Sequence, residues 1–476
     1  MAHGHAAHDP MFVMGGIAAL AFCSMTVLSF GLMSDTAVFG LILAVIIITL
    51  ATEKVDKTIV AMSGGLFCLF LGHWRHIIHA GAAGEGSHAL ADYIPMIDFS
   101  TIGVIVGTTI YVELASRSGL FTWSAILLLK KSKGDPFKLL IYFSILTVLF
   151  SAFLNNVTAM IIVGSLTVVS SRKLGINPKP FLMTEGILTN VGGLLTLISS
   201  IPNIIVGNIA GISFVSFMIK AGPYTVIAVI VTVFMAKWMF SEDIRTLVDP
   251  NEVERAQQKV NEFDEWEAVQ DFTFFKVTIV SLIGVIFAFA FQSQLPVLRE
   301  MGLEHVAFGA GILMLIIHPS DVEETLSKVE WSLVFFFFGL FTIIGVMEEA
   351  QVLKAIGTFL AMPLVWGEGV ASIIILWAAA LASAVTDNIP LAAMLAKILS
   401  GMDGVTDSSP LWWSVVFGAN LGGNISPIGS ASIVVAVTIM AKENIKMSFL
   451  EFVRVGGLFA FGQLLVATVY MWLFLF

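Results

Sequence analysis

Four short polar blocks stand inside otherwise apolar stretches of this sequence. Asn155-Asn156 interrupts one apolar run, and Asp387-Asn388 interrupts another. An amide or carboxylate within an apolar segment is costly and, where it occurs, faces a cavity or a partner. Pro390 adds a break in the second run, because it removes a backbone donor. Free backbone groups at such a break are tolerated at membrane depth only around a polar cavity or buried site. The other two blocks are Asn190-Val191-Gly192-Gly193, continuing through Thr196 to Ser199-Ser200, and Asn420-Leu421-Gly422-Gly423-Asn424, continuing through Ser426 to Gly429-Ser430. Their glycines let a backbone turn or approach another closely. Neutral oxygens and carbonyls suit a dehydrated cation, whereas helix N-termini and amide N–H groups suit an anion. These blocks therefore specify a site better than they specify its ligand.

Few acids lie far from a segment end. Asp387 is the first candidate for a proton or ion carrier, since a carboxylate in a membrane can trade its charge for a proton. Glu185, five residues before Asn190, is the second. Glu113, Arg117, Glu348 and Glu349 end their segments and read as headgroup residues, while Lys397 can snorkel from its helix. From the blocks, the substrate- or ion-binding residues are Asn155, Asn156, Thr158, Asn190, Gly192, Gly193, Thr196, Ser199, Asp387, Asn388, Asn420, Gly422, Gly423, Asn424, Ser426 and Ser430. No catalytic residue, resident metal or cofactor is expected.

The elements that must hold these blocks are membrane helices. The chain has 476 residues, of which 57% are hydrophobic and 12% charged, and its mean hydropathy is +0.94. A soluble domain carries roughly 25% charged residues, so the solvent for most of this chain is lipid. Apolar runs cover 11–33, 36–52, 58–72, 100–116, 119–130, 137–154, 157–170, 181–199, 203–219, 223–240, 272–292, 303–318, 331–347, 351–365, 369–386, 388–400, 411–440 and 449–476. Length alone predicts about ten to thirteen true spans, the rest being half-helices or re-entrant hairpins. Positive charge at 130–138 favours the cytoplasm for that loop. Residues 241–271, with ten acids and three bases, read as a short surface helix plus linker. The first apolar run is too long for a cleavable signal peptide. His3, His5 and His8 read as a polar tail, and 73–79 as an interfacial helix end rather than a histidine metal site. Cys23 and Cys68 lie in apolar runs and give no disulfide framework.

The chain repeats itself. Asp98-Phe99-Ser100 is matched by Glu330-Trp331-Ser332 at an offset of 232. The block Ser151 to Thr158 is matched by Ser383 to Pro390 at the same offset, and Asn190 to Ser200 by Asn420 to Ser430 at 230. Polar residues at corresponding positions carry this signal, because apolar runs with glycine look alike in any membrane protein. The expected organisation is an N-terminal bundle at 1–97, a first repeat at 98–240, a connector at 241–329 and a second repeat at 330–476. No Gly-Lys-Ser/Thr loop marks a nucleotide site, and no arginine ladder or haem motif suggests a voltage sensor or electron carrier.

On these residues the sequence resembles the ion transporter superfamily of ArsB/NhaD and pigmentation P-protein-like permeases and, more distantly, the divalent anion–sodium symporters. Ser151-Ala-Phe-Leu-Asn-Asn-Val-Thr158 is similar to that family's Ser-Ala-Phe-Leu-Asp-Asn-Val-Thr. Asn190-Val-Gly-Gly with Ile201-Pro-Asn-Ile-Ile-Val206 is similar to its Asn-Ile-Gly-Gly and Pro-Pro-Asn-Ile segments, which adds Asn203 to the binding set. Ser383 to Pro390 and Gly418 to Asn424 resemble the second-half versions. The resemblance spans about 98–476. It implies an all-α polytopic membrane protein of two inverted repeats, each with a re-entrant hairpin and a discontinuous helix. It also implies alternating access, a bacterial inner-membrane location, protons or sodium as coupling ion, and homodimers. An ArsB-like role would add a separate ATPase subunit. No nucleic-acid partner is expected.

Two departures bear on the substrate. Asn155 stands where the family has Asp, and Ser199-Ser200 where relatives often carry Gly-Asp. The first half of the site thus loses negative charge, which weakens sodium–proton antiport and favours a neutral or anionic substrate. The leading expectation is proton-coupled efflux of arsenite or antimonite, since uncharged arsenite presents three hydroxyls to a lattice of amides. Sodium–proton antiport and sodium-coupled carboxylate transport are the alternatives, and a channel or membrane scaffold is the rival from another class.

Overall fold

The computed structural model describes residues 33–52, 54–78, 93–318 and 322–476, so Cys23, the N-terminal histidines, His79 and the run at 11–33 lie outside the described residues. All regular structure among the described residues is helical. The helices divide into two compact units.

The smaller unit contains α1 (Asp35–Thr52), α2 (Lys57–Trp74), α15 (Trp331–Glu349) and α16 (Val352–Leu360). Its central contact is α2 against α15. A side chain on Gly339 would put its Cβ 2.4 Å from the Ala61 carbonyl carbon, so the two helices meet backbone to backbone. Thr58 Oγ1 donates to the Ser332 carbonyl at 2.9 Å. His73 and Trp74 end α2, and Arg75 pairs with Asp35 at 2.9 Å. Lys397 reaches Glu348 at 3.1 Å, an ion pair rather than a free snorkelling amine.

The larger unit carries both polar halves. In chain order it runs α3 (Phe99–Arg117), α4 (Leu120–Ser132), α5 (Pro136–Ser151), α6 (Asn156–Leu174), α7 (Lys179–Gly192), α8 (Ile201–Ile209) and α9 (Phe214–Met239). It continues through α10 (Pro250–Asn261), α11 (Phe272–Phe291), α12 (Pro296–Met301), α13 (Leu303–Ile317) and α14 (Val322–Ser327). The second repeat contributes α17 (Glu368–Ser383), most of α18 (Asn388–Ser400), α19 (Leu411–Gly422), α20 (Ala431–Lys442) and α21 (Phe449–Phe474). Seven of the described helices (α1, α3, α6, α9, α11, α15 and α21) are long and apolar enough to cross a membrane.

Both halves form the same series: α5–tip–α6 then α7–break–α8 in the first, α17–tip–α18 then α19–break–α20 in the second. Local chemistry explains the joints. Asp135 caps α5 by accepting from the Lys138 N–H at 2.9 Å, with Pro136 in the first turn where no donor is needed. Asn155 has extended backbone (ψ 152°) that stops the helical path, and its side-chain Oδ1 accepts from the Thr158 N–H at 2.7 Å to start α6. The apolar run expected at 203–219 is divided: α8 ends at Ile209, Gly211 turns with φ +64°, and α9 begins at Phe214. Conversely, Pro223 does not separate two elements, and α9 continues through it. One missing donor is tolerated in a helix whose other backbone bonds and neighbours hold it.

The repeats are inverted, and side-chain pairs at the ends show it. The first broken helix starts where the second one ends: Arg172 pairs with Glu443 at 2.7 Å, and Lys179 with Glu451 at the start of α21 at 2.6 Å. At the far end of α21, the Tyr470 hydroxyl donates to the Lys220 carbonyl at 2.7 Å near the start of α9, and Phe217 packs on Trp413 at the start of α19. A 26-residue helix is about 39 Å long, so these two sets of contacts lie on opposite sides. Hence α9 runs antiparallel to α21, and α7 antiparallel to α19.

The acidic segment is not a loose linker. Leu247 N–H donates to the second carboxyl oxygen of Asp135 at 2.9 Å, Lys173 pairs with Glu262 at 3.0 Å, and Lys130 pairs with Glu265. Gly119, with φ +79°, leaves room for the Ala268 carbonyl 2.0 Å from where a Cβ would sit. Two acids of the segment, Glu262 and Glu265, thus meet bases of the first repeat. The Lys130 ammonium bonded to Glu265 holds that carboxyl below the usual carboxylate range.

Candidate functional site

The two asparagines ahead of the breaks are fully buried and organise the centre. Asn190, near the end of α7, donates through Nδ2 to Asn424 Oδ1 and to Ser430 Oγ, both at 2.8 Å. Asn420, its counterpart near the end of α19, accepts from Ser200 Oγ at 2.8 Å. Asn190 corresponds to Asn420 and Ser200 to Ser430 at the offset of 230. Each asparagine therefore meets the serine that restarts the opposite broken helix. Such reciprocal contacts are the mark of a two-fold relation.

The hairpins are tied in by equivalent bonds. Ser151 Oγ donates to the Thr189 carbonyl at 2.6 Å, and its counterpart Ser383 Oγ to the Ala419 carbonyl at 2.7 Å. Gly192 and Gly422 allow the same close approach, with a built Cβ lying 2.8 Å from Val148 Cα and 2.2 Å from the Ala380 carbonyl oxygen respectively. Gly193 faces the Asn156 amide, whose Nδ2 donates to Asn190 Oδ1 at 3.3 Å. Gly423 lies against the Gly429 carbonyl across its own break. Asn203 donates to the Gly193 carbonyl at 2.6 Å and accepts from Asn420 at 3.0 Å. Ser199 Oγ donates to the Gly193 carbonyl at 2.5 Å, closing the first break on itself.

Three helices begin at this centre, α6 at Asn156, α8 at Ile201 and α20 at Ala431, while α18 begins at Asn388 after the second tip. The N-terminal end of each carries first-turn N–H groups and partial positive charge. Asn155 and Asp387 hold equivalent places as the residues before α6 and α18. Asp387 Oδ1 accepts from the Ile389 N–H at 3.1 Å, so the acid caps the helix it precedes. Asp387 is half-buried and Asn388 is buried.

The symmetry fails in three places. Thr196 Oγ1 donates to the Ala152 carbonyl at 2.6 Å and ties the first break to the first tip. Its counterpart Ser426 is 3% exposed, yet its hydroxyl has no hydrogen-bond partner among the described residues. Asp387 replaces Asn155. Glu185 occupies α7 where α19 has Val415, and both are fully buried. Glu185 stands apart from the central amides: its Oε1 accepts from Thr167 Oγ1 at 2.6 Å.

The site thus brings together Asn156, Asn190, Asn424 and Ser430 in one cluster and Ser200, Asn203 and Asn420 in another. Sequence reasoning missed Gln463. This side chain, fully buried in α21, accepts from Asn424 Nδ2 at 2.9 Å and donates to Thr232 Oγ1 at 2.9 Å. A lone glutamine in the middle of an apolar helix was the available signal. It has no amide counterpart in the first repeat, so the internal repeat did not mark it.

With the geometry in view, relatives can be compared. The profile of CitMHS, described as citrate transporter, matches residues 47–418. This chain belongs to the CitMHS citrate transporter family. An uncharacterized transporter of Mycobacterium tuberculosis is 31% identical over 448 residues, covering 93% of this chain and 98% of that protein. The human P protein is 25% identical over 88% of this chain and 57% of its own length, which bears out the P-protein-like resemblance. Among solved structures, the YdaH transporter of Alcanivorax borkumensis superimposes with a TM-score of 0.59 at 12% identity, over 88% of this chain and 98% of that one. That likeness is one of fold. The protein is a multi-pass membrane transporter.

Proposed function

We propose that this CitMHS-family protein is a proton-coupled secondary transporter of a small oxygen-rich anion of the carboxylate class, with citrate as the first substrate to test. The observation that carries the reading is the orphaned Ser426 hydroxyl. A buried hydroxyl without a partner is costly, and a ligand oxygen arriving at the second break would satisfy it. The helix N-termini of α6, α8 and α20 at the centre favour negative charge on that ligand. Asn190, Asn420 and their partners hold the frame, because their amide groups are largely engaged with one another. Asp387, which caps α18 at the second tip, is the group we assign to carrying the proton. Its charge falls on protonation, which lets an anion approach the tip. Alternating access then needs a proton and the substrate to be bound together.

A second reading is efflux of arsenite or antimonite. It is favoured by the neutral character of the central cluster: its bonded side chains are amides and hydroxyls, which can hold an uncharged trihydroxide. The deciding experiment is flux into proteoliposomes, with citrate, arsenite and sodium tested separately, each with and without a pH gradient. The carboxylate reading expects concentrative citrate uptake driven by the gradient and competed by other carboxylates. Arsenite flux without citrate flux would replace it with the second reading, and sodium–proton exchange alone would overturn both.

A further inference from the structure

We propose that Glu185 is a second proton-binding site, separate from Asp387, reached through a ladder of hydroxyls on α6. The proposal rests on the transport reading only for what the proton does, not for its binding.

Glu185 is fully buried, and its Oε2 has no hydrogen-bond partner among the described residues. Its Oε1 has one, the hydroxyl of Thr167. An ionised carboxylate sealed from water with a single hydrogen bond is among the costliest arrangements a protein can hold. A neutral carboxylic acid escapes most of that cost. Among the described residues, the helices packed against α7 supply no compensating charge. On α5, Lys138 is exposed and Tyr142 lies under Lys131. On α6, Arg172 and Lys173 pair with Glu443 and Glu262. Lys179 of α7 itself pairs with Glu451 of α21, and Arg454 and Lys442 are exposed. On α9, Lys220 and Lys237 sit over the rings of Trp413 and Phe137. The hydroxyls of Tyr224 and Tyr470 donate to backbone carbonyls. The segment α19 carries no titratable side chain.

The ligand is a proton rather than a metal cation. A bound sodium ion needs several oxygens around it, whereas one hydroxyl lies within hydrogen-bond distance of this carboxyl. A proton needs one oxygen.

A route is visible on α6. Ser170 and Ser171 follow Thr167 at i+3 and i+4, so the three share one helix face. All three are fully buried, and the Ser170 and Ser171 hydroxyls lack partners. Three of the unpartnered buried polar atoms thus lie on this one pair of helices. Buried polar atoms of this kind are where internal water is held. The face leads toward Leu174, about 10 Å along the axis from Thr167. There a cleft opens, walled by Leu174, Gly175 and Asn177 on one side and Arg255 and Lys259 on the other. The ladder therefore joins the acid to the side on which α7 begins. Asn190 lies five residues further along the same helix, about 7.5 Å from Glu185. Loading or emptying the acid changes the charge on the helix that holds the substrate frame.

The test is infrared difference spectroscopy on the full-length protein in nanodiscs across a pH jump, with proton as the only ligand. The wild type is expected to show a protonated-carboxyl band that titrates and that is absent in Glu185→Gln. Ser170→Ala/Ser171→Ala should keep the band at equilibrium and slow its appearance. Thr167→Val, which removes the bond to Oε1, should shift its frequency, and it serves if the glutamine variant does not fold. An unchanged titrating band in Glu185→Gln, or a Thr167→Val band with wild-type frequency, overturns the proposal. Coupling is read separately, from the pH dependence of substrate affinity. One proton bound with substrate contributes about tenfold per pH unit, and Glu185→Gln should reduce the slope by that amount. A band that behaves as expected with no flux of any substrate would sink the transport reading and leave the proton site standing. Gradient-driven flux whose pH slope is unchanged in Glu185→Gln would overturn the coupling role.

Discussion

The first half of the transporter keeps its acid inside the broken helix, at Glu185, and the second keeps its acid at the hairpin tip, at Asp387. The counterpart positions hold Val415 and Asn155. The frame around these acids is two-fold: Asn190 with Ser430, Asn420 with Ser200, Ser151 with Ser383, Gly192 with Gly422. On the proposed reading, the repeat supplies geometry, while its exceptions supply the coupling chemistry. The tether is asymmetric as well. Thr196 ties down the tip that has no acid, and the tip bearing Asp387 lacks the matching bond.

Removing the frame should have the largest effect. Asn190→Ala strands the Asn424 and Ser430 groups, and Asn420→Ala strands Ser200 and Asn203, each at about 1–3 kcal/mol per buried group left unpaired. Both variants should lose transport, and to a similar degree if the two-fold frame acts as a unit. Flux alongside thermal unfolding in detergent checks this. Activity surviving in only one of them would break the symmetry argument.

Packing comes next. Gly422→Ala drives a methyl group against the Ala380 carbonyl, and Gly192→Ala against Val148. Overpacking of this kind costs about 1–3 kcal/mol, and the shorter built distance puts Gly422→Ala at the upper end. Melting temperatures of the two variants should fall in that order.

The tethers offer a sharper contrast. Thr196→Val removes a made bond and should lower stability by about 1 kcal/mol. Ser426→Ala removes an unmade one, so stability should hold or rise while substrate affinity falls. Equal stability losses would mean that the Ser426 hydroxyl is satisfied in the working protein.

The smallest effect belongs to the acidic segment. Because the folded protein depresses the Glu265 carboxyl, its contribution is present above the unfolded value and is lost as pH falls through the folded one. Glu265→Gln should therefore lower stability slightly at neutral pH, and the difference from wild type should be smaller in acid well below the usual carboxylate range. Denaturation at the two pH values measures it.

Much of the site was legible in the sequence because polar residues in apolar runs are rare and the repeat shows them twice. Asn190 and Asn420 each sit before two glycines, and each meets the opposite half. The inverted repeats and the broken helices follow the same reasoning. What stayed hidden depends on contacts between distant segments. Gln463 has no repeat partner, and only the fold brings it to Asn424. The reciprocal pairing of Asn190 with Ser430 spans 240 residues and has no local signature. Pro223 signals a break by its type, but the surrounding helix overrides it. The acidic segment shows its charge in sequence, yet its docking needs Lys130, Lys173 and Asp135 to be brought beside it.

The central claim is that charge asymmetry, rather than the frame, couples transport to protons. It is tested most directly by gradient-driven uptake of the transported substrate in proteoliposomes containing Asp387→Asn, with and without a compensating Asn155→Asp. The account predicts that Asp387→Asn exchanges substrate down its own gradient but no longer concentrates it in response to pH, and that moving the acid to the first tip restores part of the response. Full gradient-driven accumulation by Asp387→Asn would contradict it.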